Sequence, residues 1–267
     1  MCGFFASNDP IISICHEALI RRRLDFRGPD GVSGLVKKNN WNLFHSRLAI
    51  IAPAVEFDQP YIGNDGSVLV FNGEIFNYVN LLKKYGLPES HSDTEALSRL
   101  LAVSEFDLDE LDGFFAFVRI DQAGDLTHLA RDRFGVKPLY SFTSSDGYIT
   151  ISSEASLLSD IFDLKYKLQA LDEYRIFRAP VFEKSYFENV ESILPGTCQI
   201  TGPFFKLSRE FELAEQKRNQ GAELKNLHEL IQSGVTSRLI SDAVSYTHLR
   251  AHETLMNLVC RLLLEKK

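Results

Sequence analysis

A thiol and an α-amine can meet on one residue at the start of this chain. Met1-Cys2-Gly3 places Cys2 one methionine excision from a free amino group, and Cys2 and Gly3 are both small, which leaves that excision unhindered. An α-amine titrates near ~7.7–8.0, low enough to act as a general base around neutrality, whereas a thiol near ~8.5 needs such help. A residue that carries both groups requires no separate histidine. The tripeptide alone is weak evidence, since most second-position cysteines have no such role.

Four further groups of chemically capable residues stand at the ends of predicted elements. Arg47-Leu48-Ala49-Ile50-Ile51 ends a strand, and Asn72-Gly73-Glu74 follows one. Ser92-Asp93 opens a helix, and Arg27-Gly28-Pro29-Asp30 forms a turn. Each has a plain structural reading. Asn-Gly is a common tight turn, Arg47 could be a strand-edge surface charge, and Asp93 complements a helix dipole. Ile50 and Ile51 could be core. His16, His45, His91 and His128 share no spacing with acids or cysteines, so no metal site is expected.

In order along the chain, these motifs resemble the glutaminase domain of class II glutamine amidotransferases of the N-terminal nucleophile type, most closely that of the asparagine synthetases. Asp112-Gly113-Phe114-Phe115-Ala116-Phe117, Arg131-Asp132-Arg133-Phe134-Gly135-Val136-Lys137-Pro138-Leu139-Tyr140 and Leu194-Pro195-Gly196 extend the resemblance, which runs from Cys2 to about Asp242. The resemblance implies glutamine as substrate and Cys2 as nucleophile. It puts the Asn72 amide and the Gly73 N–H at the tetrahedral oxyanion, which needs pre-aligned donors. It puts Arg47 on the substrate α-carboxylate, which a guanidinium grips in a fork that lysine cannot copy. Glu74 and Asp93 would accept from the α-ammonium, Ile50 and Ile51 would line the pocket, and Arg27 and Asp30 would support the nucleophile's loop. The Arg131–Tyr140 segment would face the partner domain where ammonia leaves, although a packing turn explains it equally well.

These residues need strands and helices to hold them. A first strand runs through Phe4 and Phe5. Asp9-Pro10 reads as N-cap and first turn of a helix with Ile11, Ile14, Cys15, Ala18 and Leu19 on one face. Arg21-Arg22-Arg23 complements that helix's C-terminus. Strands are predicted at Asn42–Ile51, Ser67–Phe71, Phe114–Ile120, Leu126–Ala130 and Tyr148–Ser152. Helices are predicted over Tyr78–Tyr85, stopped by Gly86, and over Asp93–Val103, with a Ser92/Glu95 capping box. Strands in runs with helices inserted in blocks predict an α+β four-layer αββα sandwich.

The sandwich is expected over residues 2–155, with a connecting region at 156–205 and the helical start of a synthetase domain at 206–243. An apolar stripe of Leu224, Leu227, Leu230, Ile231, Val235 and Leu239 marks that helix. Arg238-Leu239-Ile240-Ser241-Asp242 leads toward the ATP loop of such domains, but no glycine follows Gly234 to cradle a phosphate. ATP and Mg²⁺ are therefore assigned to an intact parent, with no cofactor in this chain. Residues 244–267 resemble translated adapter sequence and are expected to be an unrelated tail.

The chain has 267 residues, 45% of them hydrophobic, enough for a full core. A net charge of −7 argues against a nucleic-acid surface. No apolar run is long enough to span a membrane, and no secretory signal opens the chain. Cys2, Cys15, Cys198 and Cys260 show no pairing logic, which suits a cytoplasmic setting. The expected function is the glutaminase half of an asparagine synthetase, releasing ammonia for ATP-dependent amidation of aspartate. Its expected partners are glutamine and the missing synthetase domain, with a homodimer also compatible. The alternatives are amidation of another carboxylate, such as a sugar acid, and a vestigial binding module without catalysis.

Overall fold

Side-chain alternation decides the architecture. In β1 (Gly3–Ser7), Phe4 and Ala6 face one way and Phe5 the other. In β6 (Val68–Ile75) and β7 (Gly113–Ile120), Val68, Val70, Ala116, Val118 and Ile120 take one face while Leu69, Phe71, Phe115 and Phe117 take the other. Strands that are apolar on both faces must be covered on both, so these sheets belong in the middle of a stack. The computed structural model, which describes residues 2–51, 55–200, 209–210 and 224–238, has that arrangement.

One antiparallel sheet runs β11 (Val190–Ser192), β9 (Tyr140–Thr143), β10 (Ile149–Ser152), β1, β4 (Trp41–Arg47), β2 (Gly31–Val32), with β3 (Val36–Lys38) also on β4. The other runs β13 (Arg209–Glu210), β12 (Thr197–Ile200), β8 (Leu126–Arg131), β7, β6, β5 (Tyr61–Ile62). Phe4, Trp41, Leu43, Val70 and Val118 fill the space between the sheets. Outside one sheet, Ile20 and Leu24 of α1 (Glu17–Leu24) and Leu157 and Leu158 of α4 (Ala155–Phe162) pack on Phe5 and Phe44. Outside the other, Leu81 and Leu82 of α2 (Tyr78–Lys84) and Leu97 and Leu100 of α3 (Asp93–Leu100) cover Phe71 and Phe117. Each such side chain withdrawn from water contributes ~1.5–3 kcal/mol. The result is the α+β αββα sandwich expected from sequence.

Two helices follow. α5 (Leu168–Phe177) precedes β11, and α6 (Leu224–Ser237) ends the described chain. Arg238, just past α6, lies over the edge-to-face ring pair of Phe76 and Phe114 at 5.1 and 5.3 Å. Residues 244–267, expected as a tail, lie outside the described residues, as do Leu239 and most of the linker before α6.

Several local expectations need correction. Asp9 does not open the first helix. Its carboxylate accepts from the Ile11 N–H in a turn, a short 3₁₀ turn spans Ile14–His16, and α1 starts at Glu17. Ile11 and Ile14 are exposed, while Ile12, Ile20 and Leu24 carry the packing. The strand predicted to Ile51 stops at Arg47, because the chain turns there with Ile50 N–H donating to the Leu48 carbonyl. The helix predicted to Val103 ends at Leu100. Only half of its capping box forms. Ser92 accepts from the Glu95 N–H, but the Glu95 carboxylate accepts from Ser90 instead of reaching back to the Ser92 N–H.

Candidate active site

The site forms beside β6, where β1 begins and β4 ends. Gly3 pairs with Ser46, so the residue before β1 lies against the residues after β4. Cys2 Sγ there accepts from the Leu48 N–H at 3.3 Å and lies 3.6 Å from the Leu48 carbonyl. The backbone of Cys2 is anchored as well, because buried Arg27 donates from Nε to the Cys2 carbonyl at 3.1 Å and pairs with Glu154. Arg27 has its place because Gly28 lets the chain press on β4. A Cβ there would come within 2.3 Å of the Ser46 carbonyl. Asp30 fixes the loop after β4, accepting from the Ala49 N–H at 2.9 Å. Burial pushes the Cys2 thiol up, opposed by the Leu48 N–H and by the charges of Lys137 and Arg47.

Asn72-Gly73 is not a turn. Both residues sit inside β6, with Asn72 opposite Ala116 and Gly73 opposite Phe115. Glycine is required because β7 comes so close: a Cβ would lie 2.1 Å from the Phe114 carbonyl. Asn72 shares its face with Val68 and Val70, so its side chain enters the layer between the sheets, at the end where Cys2 lies. It is fully buried, and neither its Oδ1 nor its Nδ2 has a hydrogen-bond partner among the described residues. An unsatisfied buried polar group costs ~1–3 kcal/mol, so such an amide is normally held for a ligand.

Gly73 presents its N–H to the same cleft. Phe115, its partner on β7, turns its own N–H and carbonyl toward Asp132. The Phe115–Gly73 pair is therefore not hydrogen-bonded, and the Gly73 N–H points away from β7. Along that edge of β6, the Phe71 N–H donates to Gln59 Oε1 at 2.6 Å and the Ile75 N–H to Asp93 Oδ2 at 3.2 Å. The Gly73 N–H lies between them.

Charged groups line the rest of the cleft. Buried Arg47 donates to Asp58 at 2.6 Å and to the Ile51 carbonyl at 3.3 Å, while Asp58 itself is largely exposed. Asp93 is the first residue of α3 and is buried in the cleft, which Glu74 also lines. Burial, with a smaller push from Glu74, raises its carboxyl to about 7 against the pull of the Ile75 and Thr94 N–H groups. His45, behind Arg47, is buried, donates from Nε2 to the Phe71 carbonyl at 3.1 Å, and has its pKa lowered to about 4 by burial.

Together these residues line a narrow cleft, partly open to solvent. It brings together Cys2, Arg47, Ile50, Ile51, Asn72, Gly73, Glu74 and Asp93, all named from sequence. Arg27 and Asp30 lie behind the nucleophile's loop and do not line it. Gln59, Thr94 and Lys137 line it too and were not anticipated. Lys137 had a signal, since it lies in the Arg131–Tyr140 motif; Gln59 had none. The arrangement offers a thiol, a donor pair beside it, and a cation and an acidic pair further along. It can bind an amino acid by its head and attack an amide in its side chain.

A thiol at the amino end of a two-sheet αββα sandwich, facing an unsatisfied amide, defines the class of N-terminal nucleophile amidotransferase folds. Among solved structures, the allosteric regulatory enzyme of purine biosynthesis is similar, with a TM-score of 0.52 at 18% identity over 77% of this chain and 48% of that one. That likeness concerns the fold alone. The family model described as a glutamine amidotransferase domain matches residues 1–204, and the chain belongs to that family. Curated relatives include the glutamine-hydrolysing asparagine synthetases of Asparagus officinalis, 39% identical over 170 residues, and of Sandersonia aurantiaca, 40% identical over 170 residues. Each match covers 60% of this chain but only 28% and 32% of those proteins. No helix among the described residues is long and apolar enough to cross a membrane.

Proposed function

We propose that this chain hydrolyses glutamine to glutamate and ammonia at Cys2, as the glutaminase half of an asparagine synthetase. The observation that carries the reading is Asn72, a fully buried amide with no partner among the described residues, on the same cleft as Cys2 and Gly73. Once Met1 is removed, the Cys2 amine takes the thiol proton and Sγ attacks the side-chain carbonyl of glutamine. The carbonyl electrons move onto oxygen, where the Asn72 amide and the Gly73 N–H stabilise them. Collapse of the intermediate expels ammonia with the proton returned by the amine. Water then releases glutamate from the γ-glutamyl thioester.

Arg47 takes the substrate α-carboxylate, exchanging its contact with exposed Asp58 for one with the ligand. Glu74 and Asp93 receive the α-ammonium. The acceptor of the ammonia is aspartate in this reading, supported by the names of the relatives, and a cytoplasmic location follows from it. The synthetase partner finds support in α6, whose Leu227, Leu230 and Ile231 are 49–69% exposed and call for a covering domain, with a second copy of the chain as the alternative cover. ATP and Mg²⁺ belong to that partner domain, and no step at Cys2 involves them.

The test is glutamate and ammonia release by the Met1-processed protein and by Cys2→Ser. Serine is nearly isosteric but a far weaker nucleophile near neutrality. Loss of at least ~10-fold in activity with an unchanged fold is expected. Hydrolysis by the serine variant at a similar rate contradicts the reading, and so does the absence of hydrolysis by the processed wild type.

A further inference from the structure

Three cations surround Cys2, and two of them are matched by carboxylates. Arg27, whose Nε holds the Cys2 carbonyl, pairs with Glu154; Arg47 pairs with Asp58. Lys137 is different. It is 7% exposed and lines the cleft beside Cys2, Asn72 and Gly73, and its ammonium has no ion pair or hydrogen bond among the described residues.

Its backbone is clamped on both sides. The Lys137 N–H donates to Asp132 Oδ2 at 3.0 Å, and its carbonyl accepts from Arg131 Nε at 2.8 Å. Asp132 is the nearest carboxylate in sequence, but it is consumed by the N–H groups of Phe115, Phe134, Val136 and Lys137. The clamp also fixes which end of the cleft the lysine serves. Asp132 joins the Lys137 backbone to Phe115, and Phe115 lies opposite Gly73, so the lysine is anchored at the Gly73 level of the cleft it lines. Glu74 and Asp93 lie further along the cleft, toward α3, and Asp30 lies behind the loop after β4. The lysine thus offers its charge to the cleft it lines, with no carboxylate partner among the described residues, where it meets any anion that forms or binds.

We propose that Lys137 is the electrostatic positioning residue for the nucleophile: its unpaired ammonium holds the Cys2 sulfur as the thiolate that attacks the amide. The inference rests on Cys2 being the nucleophile. The thiolate is the anion the lysine is built to face, and a cation beside a cysteine raises its thiolate fraction. Burial holds the Cys2 thiol above its ordinary value, and the Lys137 charge opposes that rise alongside the Leu48 N–H and the terminal amine. The same charge lines the cleft with the oxyanion donors, so it also favours the negative charge as that charge passes from sulfur to oxygen.

The experiment is the pH profile of Cys2 carboxamidomethylation by iodoacetamide on the processed protein, read by peptide mass mapping. Wild type, Lys137→Met, Lys137→Gln and Lys137→Arg are compared, with urea midpoints to establish folding. Loss of the charge should move the labelling midpoint up by about one pH unit and slow labelling near neutrality about tenfold. Arginine should restore the wild-type profile. The kcat for glutamine should fall by a similar factor in the neutral variants, with KM nearly unchanged. A purely structural role would move the urea midpoint and not the thiol midpoint. If wild type labels and folded neutral variants share its midpoint, the lysine inference is overturned while the nucleophile stands. If wild-type Cys2 does not label, the nucleophile reading itself falls. Should both neutral variants fail to fold, Lys137→Arg decides: an unchanged midpoint supports the proposal, and a midpoint displaced by a unit overturns it.

Discussion

Asp93→Asn should make the protein more stable and a worse binder of glutamine at the same time. Buried beside Glu74, the Asp93 carboxyl has its pKa raised from 3.8 to about 7. A carboxyl raised in the folded state contributes stability below its unfolded pKa and loses it as pH rises toward the folded one. The span from 3.8 to about 7 corresponds to ~4 kcal/mol at pH 8, an order-of-magnitude upper bound. Asparagine cannot ionise, so it escapes that loss while its Oδ1 can still accept from the Ile75 N–H. It gives up the favourable charge at the first turn of α3, worth ~0.3–1 kcal/mol. Desolvation is the larger effect, so a net gain of ~2–3 kcal/mol at pH 8 is expected, vanishing near pH 4. Urea unfolding of both proteins from pH 4.5 to 8.5 measures it. A variant less stable than wild type at pH 8, or a difference that does not change with pH, would refute the reasoning. In wild type the glutamine KM should fall as pH rises through about 7, because the ionised carboxylate receives the ammonium.

Other substitutions separate binding from chemistry. Arg47→Lys should mainly raise the KM for glutamine, since the carboxylate clamp acts in ground and transition states alike, whereas Asn72→Ala should mainly lower kcat by ~10²–10³. The reverse pattern in steady-state kinetics would mean their roles are exchanged. Gly73→Ala should destabilise the protein and abolish turnover, because a Cβ 2.1 Å from the Phe114 carbonyl forces β6 and β7 apart; near-wild-type thermal stability would contradict that packing. Calorimetry with ATP and Mg²⁺ should show no stoichiometric binding, for want of a glycine-rich phosphate loop, and a micromolar isotherm would contradict this.

The chemistry was more legible than the geometry that holds it. Cys2, Arg47, Asn72, Glu74 and Asp93 could be named because the short motifs that hold them resemble, in order, those of one family. Gly73 was named for an imprecise reason. It was named for its N–H at the oxyanion, but what requires a glycine there is the tight contact with Phe114, forty-one residues away and invisible to any local pattern. Lys137 was passed over as part of an exit-face motif because a lysine in a loop reads as solvated, and only the Asp132 clamp shows why it is buried.

The fold shows the same division. β1, β6 and β7 were legible from apolar and aromatic runs, whereas β11 and β12 are short and carry mixed residues. They join the two sheets only through long-range pairing with β9 and β8. The first helix was misplaced because Ile11 and Ile14 keep a helical period yet face solvent. Asp9 bonds locally to the Ile11 N–H, and that turn competes with a helix start.

The central claim, that Cys2 is the nucleophile of a glutamine site, is tested most directly by covalent trapping. The processed protein is incubated with a glutamine-like diazoketone, which alkylates a thiolate only when its amino-acid head is bound, and the adduct is located by peptide mass mapping. The account predicts stoichiometric labelling at Cys2, protection by excess glutamine, and loss of labelling while Met1 is retained. Label spread over Cys15 and Cys198, or labelling of Cys2 that glutamine does not slow, would contradict it.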